Sequence, residues 1–262
     1  MLWLSTSLIG GAIEARDGAI GSISDLLFDT ADWTVRWAVA DTGRWLPGRK
    51  VLLPPSCLVP PVAGGEAFRT DLTMQQVKDS PGIERDAPVS RQYESEVYGH
   101  YGWTPYWYPG YGAMPANMVP MAGIPPFAPP GPRGGAREAP EGMREPPQVP
   151  QGDPHLRSMS EVSGYHVAAS DGDIGHVEDF MVEEATWAVR YVLVDTRNWW
   201  PGRKVLVATT WFRDVSWHER RIHVDLTREQ VERSPEYDPA VSLGRTEEER
   251  LYGHYARAPY WL

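Results

Sequence analysis

The residues able to do chemistry in this 262-residue chain are seven histidines, one cysteine and a set of recurring carboxylates. The histidines are His100, His155, His166, His176, His218, His223 and His254. None stands in an H-E-x-x-H or Cys/His spacing of the kind that holds zinc. His218 and His223 can meet across a hairpin, but two histidines alone make no metal site. Cys57 is the single thiol, which excludes an intrachain disulfide. It is expected to be a buried structural residue, the usual fate of a free cysteine. No G-x-S-x-G, P-loop or dinucleotide glycine fingerprint is present. Asp17, Asp25, Asp41 and Asp71 are read as turn and cap residues, because Asx side chains bond nearby backbone without any chemistry. A paired acid/base site would need them to converge in a cleft. The expectation is a protein that is not an enzyme, with no catalytic residue, cofactor or metal.

Two histidines stand apart because their surroundings recur. Tyr98-Gly99-His100-Tyr101 with Pro105-Tyr106-Trp107 is matched by Tyr252-Gly253-His254-Tyr255 with Pro259-Tyr260-Trp261. One reading packs these aromatics onto the chain's own strands, with the histidine bonded to backbone. The other makes them a docking surface, since aromatic residues anchor interfaces. Trp45, Trp199 and Trp200 flank Pro-Gly turns and are either folded back or exposed for binding. The candidate partner-binding set is therefore Trp45, Trp199, Trp200 and the tail residues Tyr98, His100, Tyr101, Tyr106, Trp107, Tyr252, His254, Tyr255, Tyr260 and Trp261.

The recurrence extends along most of the chain. Asp17-Gly18 returns as Asp171-Gly172, Trp33 as Trp187, and Asp41-Thr42 as Asp195-Thr196. Pro47-Gly48-Arg49-Lys50-Val51-Leu52 returns as Pro201-Gly202-Arg203-Lys204-Val205-Leu206. Asp71-Leu72-Thr73 and Ser80-Pro81 return as Asp225-Leu226-Thr227 and Ser234-Pro235. Every pair is 154 positions apart. A constant offset with no gap implies two copies of one unit.

Each copy reads mostly as strands. Trp33, Val35, Trp37 and Val39 alternate with smaller or polar residues, as do Trp187, Val189, Tyr191 and Leu193, the period-2 signature. Strands are also expected over Ala19–Asp29, Lys50–Leu53 and Phe68–Leu72, and over Asp173–Glu183, Lys204–Val207 and Ile222–Leu226. Asp-Gly and Pro-Gly supply the turns. Thr73 with Gln76 and Thr227 with Gln230 form capping boxes for short helices. A second helix is expected at about 90–101 and about 245–255, with Thr246 and Glu249 as another box.

Between the copies, roughly 14 prolines crowd into 105–154, a composition that cannot make helix or central strand. The division is residues 1–107, a linker at 108–157, and residues 158–262. No run approaches the roughly 20 apolar residues of a membrane helix, and Met1–Ile13 reads as a lead-in to the first strand. The chain carries 25 Lys+Arg against 35 Asp+Glu, a formal charge of −10. About −4 falls on the first copy and about −6 on the second. This balance argues against direct nucleic-acid contact, which needs clustered cations.

On the Asp-Gly-x-Ile-Gly-x-x-x-Asp segments (Asp17 to Asp25, Asp171 to Asp179), the Asp41-Thr42…Trp45-Leu46-Pro47-Gly48-Arg49-Lys50 turn and the Asp-Leu-Thr…Gln-Val…Ser-Pro close, the sequence resembles the PRC-barrel family. That family includes the cytoplasmic domain of the photosynthetic reaction-centre H subunit and, more distantly, the C-terminal barrel of the ribosome-maturation factor RimM. The resemblance implies an all-β fold with short C-terminal helices, each copy a small antiparallel β-barrel; because duplicated domains often reproduce a two-fold contact, the two barrels are expected to pack as an intramolecular pseudo-dimer. It implies a non-catalytic scaffold or assembly subunit that binds protein partners. The most specific form is an H-like subunit on the cytoplasmic face of the inner membrane, docked on membrane-embedded photosynthetic subunits and supporting electron and proton transfer at the quinone side. Alternatives are a RimM-like ribosome or RNA-processing factor, and a small-ligand sensor with a site between the barrels.

Overall fold

The computed structural model describes residues 1–61, 67–83, 89, 91–107, 153, 155–196 and 203–262. Trp199, Trp200 and the Pro-rich stretch 108–152 lie outside the described residues.

Two sheets carry the molecule. In the first, β2 (Ala12–Ala15), β3 (Gly18–Asp29), β4 (Thr34–Asp41), β5 (Lys50–Leu53) and β6 (Ala67–Arg69) run in the order β5-β4-β3-β2-β6. In the second, β8 (His166–Ala169), β9 (Gly172–Glu183), β10 (Val189–Asp195), β11 (Lys204–Ala208), β12 (Phe212–Ser216) and β13 (Arg221–Val224) run β11-β10-β9-β8-β13-β12. β2 pairs with β6, and β8 with β13, in parallel. The molecule is thus mostly β, with short helices, as expected. Among the described residues each sheet is an open path and no pairing closes it into a barrel.

The strand assignments follow the sequence pattern, with one difference of substance. Alternation along β4 predicts one buried face, yet Ala38 and Ala40 are as buried as Val35 and Trp37. Both faces are covered. Val35, Ala38 and Ala40 join the main core, while Trp37, Val39 and Leu52 pack under Val97 and Tyr98 of α3 (Arg91–Tyr101). In the second sheet Tyr191 likewise packs with Tyr252 of α6 (Arg245–Tyr255), their ring centroids 6.4 Å apart. The main core itself is continuous across the two halves, holding Ile13, Phe28 and Phe68 together with Val177, Phe180 and Val182.

The second glycine of the recurring motif has a steric reason. Gly21 has φ +151°, and a Cβ there would sit 1.9 Å from the Asp41 carbonyl oxygen; at Gly175 the values are +143° and 2.1 Å from that of Asp195. Only a residue without a side chain lets the neighbouring strand come this close.

α2 (Met74–Asp79) and α5 (Arg228–Glu232) start at the two expected capping boxes, on Thr73 with Gln76 and Thr227 with Gln230. Asp17 accepts a hydrogen bond from the Met74 N–H, and Asp171 from the Arg228 N–H, each at 2.8 Å. Each Asp-Gly turn therefore holds a helix start that follows it by 57 residues. The expected Thr246–Glu249 box is not the start of α6. The chain is extended at Gly244, whose N–H donates to the Glu247 carboxylate at 3.1 Å, and Thr246 is already helical. A residue inside the first turn cannot serve as the cap.

Two elements fall where the sequence pattern gives no sign of them. β1 (Leu2–Leu4) does not lead into the first sheet; it pairs with β9 of the second, Leu2 opposite Glu183 and Leu4 opposite Met181. β7 (Leu156–Ser158) pairs with β3 of the first sheet, Leu156 opposite Asp29 and Ser158 opposite Leu27. β7 begins before the composition boundary at 157. Strands of three residues carry no periodicity to read.

Candidate functional site

The junction made by these two strands is built from residues 154 positions apart. A single helical turn follows each: α1 (Ser5–Leu8) and α4 (Met159–Val162). Each turn returns the chain to its own sheet, so each half lends its leading strand to the other. Asp179 on β9 accepts hydrogen bonds from Ser5 Oγ, Thr6 Oγ1 and the Thr6 N–H. Asp25 on β3 accepts from Ser158 Oγ, from Ser160 Oγ at 3.0 Å and from the Ser160 N–H at 3.3 Å. Each carboxylate uses both oxygens to hold the arriving turn of the other half. Hydrogen bonds to an ionised acceptor are the stronger kind.

The two β3–β4 and β9–β10 turns complete the junction. The Val35 N–H donates to the Trp187 carbonyl at 2.9 Å, and the Val189 N–H to the Trp33 carbonyl at 2.7 Å. Trp33 and Trp187 both take left-handed backbone, φ 55° and 57°. Bulky residues rarely adopt it, so the reciprocal bonds and ring packing must hold them there. Trp33 stacks on Phe28 at 5.0 Å and meets Phe212 edge-on at 5.0 Å. Phe28 lies 6.0 Å from Phe180.

A second constellation lies beneath each aromatic tail. Glu94 on α3 and Glu248 on α6 are buried carboxylates, 0% and 3% exposed. The Trp37 indole N–H donates to Glu94 at 2.7 Å. The Tyr191 and Tyr260 hydroxyls donate to Glu248 at 2.7 and 2.9 Å, and Arg245 pairs with it at 3.1 Å. Burial and the bond to Glu248 push the Tyr191 phenol up and the Tyr260 phenol to about 12, since a phenol that donates to a carboxylate must keep its proton. Arg36 lies over Tyr106 at 4.2 Å and Arg190 over Tyr260 at 4.1 Å, while Arg245 covers Trp261 at 3.9 Å. Such cation–π contacts are worth about 0.5–1 kcal/mol each at exposed sites.

The expected docking residues occupy these settings. Tyr98, Tyr252 and Tyr255 are buried. Tyr101 is half-buried and stacks on Trp103 at 4.1 Å. Tyr106, Tyr260 and Trp261 are partly exposed, and Trp107 is 36% exposed. His100 Nε2 meets the Gln76 carbonyl at 2.9 Å and His254 Nε2 the Gln230 carbonyl at 2.8 Å. A carbonyl only accepts, so each imidazole carries its proton on that nitrogen. Trp45 is partly buried against the main core, and its indole N–H has no hydrogen-bond partner among the described residues. Cys57 ends a single 3-10 turn, Pro55–Cys57, as Trp211 does at Thr209–Trp211. Burial pushes its thiol up to about 12, so it is not a thiolate at neutral pH. Asp41 accepts from the Gly43 N–H at 2.8 Å, an Asx turn as expected. Asp71 pairs with Arg16 on the surface. His218 lies in the β12–β13 turn and His223 opposite Asp214; among the described residues no three His, Cys, Asp or Glu side chains are grouped to hold a metal.

Sequence reading did not single out Glu94, Glu248, Arg36 or Arg190. The signal was available: both pairs obey the 154 offset, and each glutamate lies four residues before the tyrosine at 98 or 252, on the same helix face. The hydroxyls that meet Asp25 and Asp179 were harder to see, because Ser5 aligns with Met159 and only Thr6 and Ser160 match in chemistry.

No curated protein matches this chain. The PRC-barrel domain family matches residues 155–231, from β7 into α5. Residues 155–231 are therefore a PRC-barrel domain.

Proposed function

We infer that the chain is a non-catalytic scaffold made of two PRC-type barrel units, residues 1–107 and 158–262, that arose by internal duplication and pack as an intramolecular pseudo-dimer joined by the Pro-rich stretch. The observation that carries this is the PRC-barrel match at 155–231 together with the return, 154 positions earlier, of its strand order, helix caps and junction carboxylate. Two related units joined through a shared junction each keep an outward face, the arrangement of an adaptor. The docking residues in this reading are Trp45 and the partly exposed tail residues Tyr106, Trp107, Tyr260 and Trp261, with Trp199 and Trp200, which lie outside the described residues, as further candidates. Its partner is a protein, because an acidic chain of charge −10 has no attraction for a phosphate backbone.

The most specific form of this reading is an H-like subunit at the cytoplasmic face of a photosynthetic reaction centre. No helix among the described residues is long and apolar enough to cross a membrane, so attachment would run through protein contact. Affinity purification of the tagged full chain from detergent-solubilised photosynthetic membranes tests it. Recovery with reaction-centre subunits, reduced at least tenfold by Trp45→Ala with Trp199→Ala and Trp200→Ala, is the expected result. Recovery of the chain alone would overturn the H-like reading.

A further inference from the structure

We propose that the strand exchange between the halves is also made between molecules, so that a second copy of this chain is a partner for the same junction. The argument rests on the equivalence of the two acceptors and the two arriving segments. β1 sits on β9 with Leu2 opposite Glu183, and β7 on β3 with Leu156 opposite Asp29, the same register displaced by 154. Asp179 and Asp25 hold the two arriving turns with the same set of groups, hydroxyls plus the backbone N–H at Thr6 or Ser160. The Val35–Trp187 and Val189–Trp33 bonds are reciprocal in the same way. Every contact of the junction joins one half to the other, and none requires both halves to come from one chain.

The covalent connection does not enforce that choice either. The sequence supplies about 45 residues between Trp107 and Asp153, a contour of roughly 150 Å. A first half can therefore close on its own second half or on that of a neighbour with the same contacts made. The difference is one of concentration. Covalent linkage of the halves holds a chain's own partner at an effective concentration on the order of 1 mM, so the single chain prevails when dilute and the exchanged pair forms when chains fold at comparable concentration. Exchange of identical elements is a low-cost route to a dimer because it needs no new surface. The inference is independent of which protein the outer surfaces bind.

The test uses the full chain with a protease site inserted between Gly131 and Pro150. The protein is refolded from denaturant at micromolar and at near-millimolar concentration, and its mass is read by light scattering after dilution. The expected result is a single-chain mass of 29.4 kDa from the dilute sample and an added species of twice that mass from the concentrated one. Cutting the linker then distinguishes the contact. An exchanged dimer is held together only by its two linkers, so cleavage halves its mass, while the cleaved monomer keeps its mass because the junction still joins its halves. A single-chain mass at every concentration, a dimer that survives cleavage, or halves that part on cleavage would each overturn the proposal.

Discussion

The two halves solve one problem with different chemistry. Each buries a glutamate under its aromatic tail, and each strand supplies a donor from the same position. In the first half that donor is the indole of Trp37 to Glu94; in the second it is the phenol of Tyr191 to Glu248. What the backbone dictates is a buried carboxylate facing a strand residue, and either aromatic with a polar handle satisfies it. The halves differ again at the junction. Asp179 is 5% exposed and Ser5 3%, whereas Asp25 and Ser158 are only partly buried. The second sheet also extends through the β12–β13 hairpin, while at the corresponding edge of the first sheet the described pairing is a single bridge between Val59 and Arg69.

The sharpest break of this comparison is substitution by phenylalanine at the paired aromatic positions. Trp37→Phe removes both ring volume and the donor to a fully buried carboxylate, and should cost roughly 2–4 kcal/mol in urea unfolding. Tyr191→Phe removes only a hydroxyl and keeps the ring, so roughly 1.5 kcal/mol is expected. Equal losses would mean that ring volume at this position contributes nothing.

At the junction, Asp179→Ala should cost roughly 2–3 kcal/mol and Asp25→Ala roughly 1–2 kcal/mol, because stranding partners in the drier site is worse. The reverse order in thermal unfolding would show that burial does not set the strength of the clasp.

The smallest effect is alkaline. Burial pushes Tyr101 and Tyr255 to about 12, and burial with the Glu248 bond does the same to Tyr260. A phenol whose folded pKa lies above its unfolded value contributes its full stability below about 10 and loses it as pH rises through the folded value. The melting temperature should therefore hold to about pH 10 and fall between about 10 and 12. Tyr260→Phe should flatten part of that fall, and a profile unchanged by it would remove Glu248 from the account.

How much was legible can be judged element by element. Period-2 alternation marked β4 and β10, the Asp-Gly turns marked the starts of β3 and β9, the Thr–Gln boxes marked α2 and α5, and the 154 offset marked the pairing of residues between the halves. These signals are local, or are comparisons of the sequence with itself, and need no third dimension. The cap of α6 was misplaced by two residues because Gly244 has no side chain to announce a start. The aromatic tails were legible as a recurring group, but not the buried glutamates under them, because a glutamate in a helix ordinarily faces water.

By itself the sequence determined which segments recur at a constant offset of 154, and where most of the strands and the capped helices begin. Only the tertiary structure decided which sheet each leading strand joins. Leu2–Leu4 and Leu156–Ser158 are too short to carry a pattern, and a backbone edge accepts any extended segment that reaches it. The choice is made by contacts between groups more than 130 positions apart, Asp25 with Ser158 and Ser160 and Asp179 with Ser5 and Thr6, which exist only once both halves have folded against each other.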